Sequence, residues 1–467
     1  MILARLPRHG ALTLTAIALA AIVFVALLGW LSLATGGWPA VVLATVLVIA
    51  GIIWLALPLV IGRVGRSATI LRALIIIGLA ARLALLLSPP LYEDDYVRYL
   101  WDGGVTAAGL NPYARTPSSI LNDIHPLFPQ MPGTARPASP EAVLGVQSKG
   151  VLERVSYPSV TTIYPPLAQL GFAAAHLVSP WSLLAWKVVG LAAEALTLWL
   201  LMGGLRAAQR PPGWAMLYWL CPLVIKDFAN GAHMDVLLMP ALAGLIWAML
   251  KGRLRSAAVL IGVAAALKFW PLLLVPGLAW RVEKWPQRIA LAALAIGSAA
   301  LLLAPQLLAL DPASSGLSAY AESWVRNSLA FPALQAMITA LAIGGDPALL
   351  TRFLVAAIVG GLALRWGVSA ANDAPTATIA AWRDTVLALL LLSPTGYSWY
   401  ATWLVPFLVF TPEAAAMLLV AFVGAYYARF ADRAGWGAAI APWIGFAPAW
   451  VVTVVTGLRQ RIADARG

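Results

Sequence analysis

Runs of apolar residues, each near the about 20 that a helix needs to cross the hydrocarbon core of a bilayer, recur from one end of this chain to the other. In hydrocarbon every backbone N–H and C=O must be satisfied within its own segment, so such runs imply helices and not sheet. The chain is 61% hydrophobic and 11% charged, with a mean hydropathy of +0.85, outside the range of soluble folds. The expected fold is all-α, a polytopic transmembrane helical bundle of about 12 to 14 spans. Its 31 basic and 19 acidic residues give a net charge of +12. The basic residues sit in short links between apolar runs, and no aromatic-basic stripe marks a nucleic-acid surface, so membrane lipids are the expected surroundings and no nucleic acid the expected partner. Cys221, the only cysteine, lies inside an apolar run, which excludes a disulfide framework and a cysteine zinc cluster.

The run near 11–33 follows Arg5 and Arg8 and is too long for a cleaved signal peptide, so it is expected as a first span with a cytoplasmic N-terminus. Runs near 38–61 and 69–88 follow, with Arg63 and Arg66 between them. This parity places 91–163 outside the cytoplasm as a long external loop with juxtamembrane helices. Its acids (Glu93, Asp94, Asp95, Asp102, Asp123, Glu141, Glu153) outnumber its bases (Arg98, Arg115, Arg136, Lys149, Arg154). The apolar stretch 165–178 is short for a span and reads as re-entrant or interfacial. Basic links at 206–210, 251–255 and 281–288 are expected in the cytoplasm, which puts 226–235 and a helix break at Lys268 on the external side. A second external loop is expected at 306–330, further spans beyond it, and Arg459, Arg461 and Arg466 in the cytoplasm.

Polar residues then single out candidate chemistry. In YEDDYVRYLWDGGVTAAGLNPY (92–113) acids follow a span directly. Acids in a first helical turn complement the helix dipole, a structural reason for their presence. Helical spacing separates them: Asp94 stands four residues before Arg98, while Asp95 shares a face with Tyr99 and Asp102 and has no cation in its own helix. Asp95 is the freer carboxylate and the candidate general base, with Asp94 its rival. The link KDFANGAHMD supplies Lys226, Asp227, Asn230, His233 and Asp235 between two spans, where polar residues are costly unless used; a solvated hairpin is the plain alternative. His233 and Asp235 alone specify no metal site. Lys268 beside Trp270 and Pro271 is either a snorkelling cation or a ligand-binding one. Arg326 in YAESWVRNS and the aromatic residues Tyr397 and Tyr400 are weaker signals, the latter equally suited to an interfacial belt. The sequence has no P-loop, no dinucleotide fingerprint and no cytoplasmic loop longer than about 20 residues, so a nucleotide site has nowhere to fold.

The ordered set EDDYVRYLWDG, GLNPY, IYPPLAQ, NGAHMD, LKFWP and SPTGYSWY resembles the GT-C superfamily of polyprenyl-phosphate-sugar-dependent glycosyltransferases, in particular the bacterial α-mannosyltransferase branch, over about residues 69–410. The resemblance implies a GT-C-like catalytic module at 69–330, preceded by two extra helices in 1–68 and followed by C-terminal spans in 331–467. It implies a hexose, mannose by default, moved with inversion from a polyprenyl-phosphate sugar to a lipid-linked or glycan acceptor at the outer face of the bacterial cytoplasmic (inner) membrane. Carried over to this chain, the base is Asp95 or Asp94, and the donor phosphate meets Lys268, Arg326 and His233. Arg98, Tyr99, Asp102, Asn111, Tyr113, Tyr164, Lys226, Asp227, Asn230, Asp235, Tyr397 and Tyr400 are expected around the substrate cavity. No cofactor and no obligatory metal are expected, because one or two cationic side chains satisfy a monophosphate. The competing reading is a secondary transporter or flippase, since broken helices and charges at membrane depth also mark transporters.

Overall fold

The computed structural model describes residues 8–34, 38–64, 66–124, 139–309, 315–341, 344–431 and 434–464. Arg5, Arg136 and Arg466 lie outside the described residues, as do 125–138 of the first long loop and 310–314 of the second. Apolar helices α1 (Arg8–Leu31), α2 (Trp38–Leu55), α3 (Leu57–Val64) and α4 (Ala68–Leu85) open the chain. The loop segment carries α5 (Asp95–Ala107), α6 (Pro117–Ile124), α7 (Pro140–Gln147) and α8 (Pro166–Val178), and α9 (Leu183–Ala207) returns through the bundle. Short helices α10 (Met216–Trp219) and α11 (Pro222–Val224) lead into a π-helical turn, Ile225–Asn230, and a 3-10 turn, Met234–Leu237, before α12 (Leu238–Leu250). Then come α13 (Leu254–Ala265), α14 (Val275–Ala279), α15 (Trp285–Leu308), α16 (Gly316–Ser323), α17 (Ala330–Ala340), α18 (Pro347–Ser369) and α19 (Pro375–Leu392). A 3-10 stretch Ser398–Leu404 precedes α20 (Val405–Leu408); α21 (Ala414–Phe422), a second 3-10 stretch Val423–Phe430 and α22 (Trp436–Asp464) end the chain. Among the described residues the one extended pairing is an isolated bridge between Arg326 and Thr395.

The all-helical membrane bundle expected from the sequence is the observed one. Eight helices among the described residues are long and apolar enough to cross a membrane, nine if Pro222–Asn230 and Met234–Leu250, bent by 110°, make one span. The helix break expected at Lys268 is observed, with the short helices Leu254–Ala265 and Trp270–Ala279 on its two sides, and other apolar runs, Ala330–Ala340 among them, are also too short to cross. Proline and the polar residues at their breaks convert regular turns to 3-10 or π geometry. The stretch 165–178 is a 13-residue helix, too short to span, as the sequence indicates.

Two ends can be told apart by what the charged side chains hold. Near the start of α9, Lys187 donates to Leu85 O (3.0 Å) and Ser88 O (2.7 Å), tying down the end of α4. Past the other end of α9, Arg210 bonds Phe410 O, Arg281 donates to Asp373 O (2.7 Å) and Arg383 to Thr411 O (2.6 Å). The basic links therefore gather at one end, and the loop that begins at Leu86 lies at the other. α9 has 25 residues and is about 37 Å long, whereas α13 has 12 and is about 18 Å. Lys268, three residues past α13, thus sits well inside the bundle rather than at its rim.

Helix α5 is fixed against α8 by backbone proximity. A Cβ at Gly103 would lie 2.5 Å from Phe172 O, and one at Gly104 would lie 2.2 Å from the Trp181 ring. Tyr99 stacks on Phe172 (4.6 Å, 8°) over this contact. Gly103→Ala forces the helices apart and is expected to cost about 1–3 kcal/mol, read as a lower thermal midpoint of the detergent-solubilised protein. Gly29→Ala on α1, where nothing lies within 4 Å of the new methyl, serves as the control. Equal midpoints for the two variants would contradict this packing account.

Candidate active site

At the end of the bundle away from the basic links lies a cavity of about 890 Å³. Its walls come from the loop before α5, the 156–165 segment, the Lys268 turn, α16, α18, α19 and the two 3-10 stretches near the C-terminus. Tyr92, Tyr157, Ala232 and Asn327, on or beside these walls, hold left-handed φ angles of 60°, 53°, 57° and 50°. Non-glycine residues pay for that geometry, and such strain clusters at functional sites.

Asp95 begins α5 and stands on the cavity wall with 32% of its side chain exposed. Burial and the adjacent Asp94 carboxylate push its carboxyl up to about 7, opposed by Lys268. Glu93 is pushed well above the ordinary carboxylate range, first by burial, and its Oε1 is buried without a hydrogen-bond partner. Lys268, also on the cavity wall, pairs with Asp235 at 2.9 and 3.2 Å, lies 4.3 Å above the Tyr400 ring, and shares Asp235 with Trp403 Nε1 (2.7 Å). Arg326 projects from the bridge with Thr395; its backbone N donates to Pro394 O (2.9 Å) and its O accepts from Gly396 N (2.9 Å). Arg326, Arg352 and Arg429 all line the cavity, and none pairs with a carboxylate among the described residues.

Of the residues expected around this site, Asp94, Asp95, Arg98, Tyr99, Tyr164, Asp235, Lys268, Arg326, Tyr397 and Tyr400 line the cavity. The others stand behind it. Asp94 does not pair with Arg98: it is exposed and accepts from Ser156, while Arg98 turns forward to Asp102 (3.0 Å). Position explains the correction, because Asp94 precedes the first turn and its side chain points to the loop, whereas Asp102 sits in the core, 1% exposed, and must be neutralised there. Gln169 gives Asp102 a further bond (3.2 Å). Lys226 and Asp227, expected in the cavity, are fully buried and pair with each other at 3.1 Å; Tyr427 donates to Asp227 at 2.8 Å. Adjacent opposite charges in a desolvated place satisfy one another rather than a ligand. Asn230 is buried too, tied to Leu91 N (3.1 Å) and Pro89 O (2.9 Å). Asn111 caps Tyr113 N (3.0 Å), and Tyr113 holds Tyr164 O (2.9 Å) from behind. His233 does not line the cavity: it is 0% exposed, stacked on Trp399, with Nδ1 3.7 Å from Asp95 Oδ2.

Glu93, Tyr320, Trp324, Arg352 and Arg429 also line the cavity and are not among the residues expected there. An arginine beside an apolar run carries the same signature as a topology signal, so Arg352 and Arg429 had nothing to set them apart. Tyr320, which bonds Thr395 (2.7 Å) and Tyr400 (3.0 Å), enters the wall only through tertiary folding.

Residues 158–284 match the model of a family described as alpha-(1->6)-mannopyranosyltransferase, N-terminal domain. The chain is also 27% identical over 379 residues to alpha-(1->6)-mannopyranosyltransferase A of Mycobacterium tuberculosis, covering 76% of this chain and 67% of that relative. The chain is a glycosyltransferase. The resemblance to the α-mannosyltransferase branch read from its motifs holds, and an enzyme takes the place of the transporter alternative. This glycosyltransferase is an integral membrane protein that takes a sugar donor and a glycan or lipid acceptor. No solved structure matches the chain.

The geometry separates Asp94 from Asp102 by stability. Removing Asp102 as alanine leaves Arg98 buried without its carboxylate and is expected to cost up to about 3–5 kcal/mol, while the exposed Asp94→Asn stays within about 0.5 kcal/mol. Denaturation midpoints of the two variants check this; a larger loss for Asp94→Asn would restore the Asp94–Arg98 pairing.

Proposed function

We propose that this glycosyltransferase moves a mannose from polyprenyl-phosphate mannose to a lipid-linked or glycan acceptor, with inversion, at the extracytoplasmic face of a bacterial cytoplasmic membrane. The observation that carries the reading is the make-up of the cavity. The cavity presents Asp95 together with Arg326, Arg352 and Arg429, which have no carboxylate partner among the described residues, and an apolar flank runs along Val355, Ala356, Val359, Leu389 and Leu390. A phosphate between guanidinium groups, with an isoprenoid chain on the apolar flank, fits that division. Mannose comes from the names of the similar proteins.

In this mechanism an acceptor hydroxyl attacks the anomeric carbon, the carbon–oxygen bond to phosphate breaks, and the phosphate leaves with the electron pair. Asp95 takes the hydroxyl proton. Arg326 and Arg429 stabilise the charge on the departing phosphate, as preformed donors do where charge develops. The flat, positively charged sugar of the transition state lies over the carboxylate, as in glycosidases. Lys268, held by Asp235, is the floor of the site and a weaker phosphate ligand than the free guanidiniums. The proposed catalytic unit is the module at 69–330 together with the C-terminal wall residues. The guanidiniums serve a monophosphate without an obligatory metal, so turnover is expected to survive exhaustive chelation.

The base is tested by Asp95→Asn, which cannot take a proton and should lower turnover by the roughly 100- to 10,000-fold that general-base help is worth, with folding unchanged. Since the working form is the carboxylate and its carboxyl is pushed up to about 7, kcat/KM should rise with pH through that value and then level off. A fully active Asp95→Asn, or a rate that falls as pH rises through 7, contradicts the assignment. Transfer from a nucleotide-sugar with no lipid-phosphate sugar present contradicts the donor.

Orientation is tested in a Cys221→Ser background with Ser159→Cys, an exposed position on the cavity rim. An impermeant maleimide should label it from outside intact cells; labelling only after the cytoplasmic side is opened would reverse the sidedness.

A further inference from the structure

His233 is the one residue of the NGAHMD link that touches the base without lining the cavity. Its ring is fully buried, and neither nitrogen has a hydrogen-bond partner. Nδ1 lies 3.7 Å from Asp95 Oδ2, a few tenths of an ångström beyond bonding reach. The ring plane is fixed by stacking on Trp399 (3.9 Å, 15°). The backbone is fixed as well: Ala232 is left-handed, its O accepts from Trp186 Nε1 (2.7 Å), and His233 N donates to Asp227 O (3.1 Å). A buried polar group left unpaired is a standing cost that folding normally removes. Here the structure keeps the imidazole rigid, unpaired and aimed at a carboxylate that sits on a solvent-facing wall and already accepts from the Tyr99 hydroxyl.

We propose that His233 is the positioning residue of the base, its Nδ1–H donating to one oxygen of Asp95 in the substrate-loaded enzyme so that the other oxygen faces the acceptor hydroxyl. The inference rests on the assignment of Asp95 as the base. A fully buried imidazole is neutral, with one donor and one acceptor nitrogen, and the donor faces the acid. The hydroxyl proton passes to the free oxygen of Asp95 and goes no further; His233 neither gains nor loses one. Apo geometry is commonly looser than the working geometry, so the present gap is consistent with closure on loading. Asp95 also faces Asp94 and Glu93 from its own loop, Tyr99 from α5, Lys268 from the turn after α13 and Asp235 from the far side of the break. His233 adds a second uncharged donor beside the Tyr99 hydroxyl that already bonds Asp95, and donation to the ionised form favours it.

The test compares His233→Asn, whose amide donor falls near the Nδ1 position, with His233→Gln, whose donor falls near Nε2, and with His233→Phe, which keeps the stack on Trp399. Polyprenyl-phosphate mannose and an alkyl α-mannoside are the probes. The Gln and Phe variants should lose kcat by on the order of tenfold or more, a fraction of what the base itself supplies, with both KM values unchanged. In both, the acid limb of the pH profile should move to higher pH, while the Asn variant recovers rate and limb relative to them. If a variant does not fold, the remaining ones decide by the same limb. Three results overturn the proposal: an acid limb that stays in place in Gln and Phe, equal losses in Asn and Gln, or a raised donor KM with kcat intact, which would return His233 to the phosphate. An inactive Asp95→Asn beside any of these keeps the base and removes only its positioning residue; an active Asp95→Asn removes the base assignment itself.

Discussion

The carboxamide of Asn230 holds together the two pieces of chain from which the site is made. It accepts from Leu91 N at 3.1 Å and donates to Pro89 O at 2.9 Å and Ser88 Oγ at 3.0 Å, bonding the loop before α5 to the point where the following span breaks. Both sides need it. A span bent by 110° exposes backbone groups that hydrocarbon cannot satisfy, and a loop leaving the end of α4 does the same. Each supplies what the other lacks, with Lys187 closing Leu85 O and Ser88 O and Trp186 closing Ala232 O. Asp95 and His233 meet because these two breaks are pinned to one another.

Around that junction the charges divide into two kinds. Arg82 and Glu194 (2.6 Å), Lys226 and Asp227 (3.1 Å) and Arg98 and Asp102 (3.0 Å) are buried and paired, so they hold helices and leave little field for a ligand. Arg326, Arg352 and Arg429 line the cavity with no carboxylate partner among the described residues, in a place where water is partly excluded and each is worth more than it would be in bulk. Carboxylates clustered at the start of α5 and guanidiniums without a carboxylate partner among the described residues, in one cavity, make an arrangement for separating a proton from a leaving anion, and the surrounding pairs keep it from collapsing on itself.

Much of this was legible in the residues. Continuous apolar runs gave the helical membrane fold, short basic links gave one end of the bundle, and the 13-residue run at 166–178 was visibly too short to cross. Helical spacing put Asp95 on one face with Tyr99 and Asp102 and offered Arg98 to Asp94. The same rule misled at Arg98, which has an acid four residues away on either side, Asp94 and Asp102; burial chose between them, and burial is a property of packing. Lys226, Asp227 and Asn230 looked like ligand groups because polar residues at membrane depth are costly, yet a broken helix needs such residues to satisfy itself. Arg352, Arg429 and Tyr320 lie more than 200 residues from Asp95 in sequence and reach it only through the fold.

The central claim is that the sugar is transferred between Asp95 and the free guanidiniums of this one cavity. Its most direct test is a structure of the protein in lipid nanodiscs with a non-transferable phosphonate analogue of polyprenyl-phosphate mannose. The account predicts the phosphonate on Arg326 or Arg429, the sugar over Asp95 and the isoprenoid along Val355, Val359 and Leu389. A phosphonate bound at the opposite, basic end near Arg253 or Arg281, with the cavity free of sugar, would contradict it.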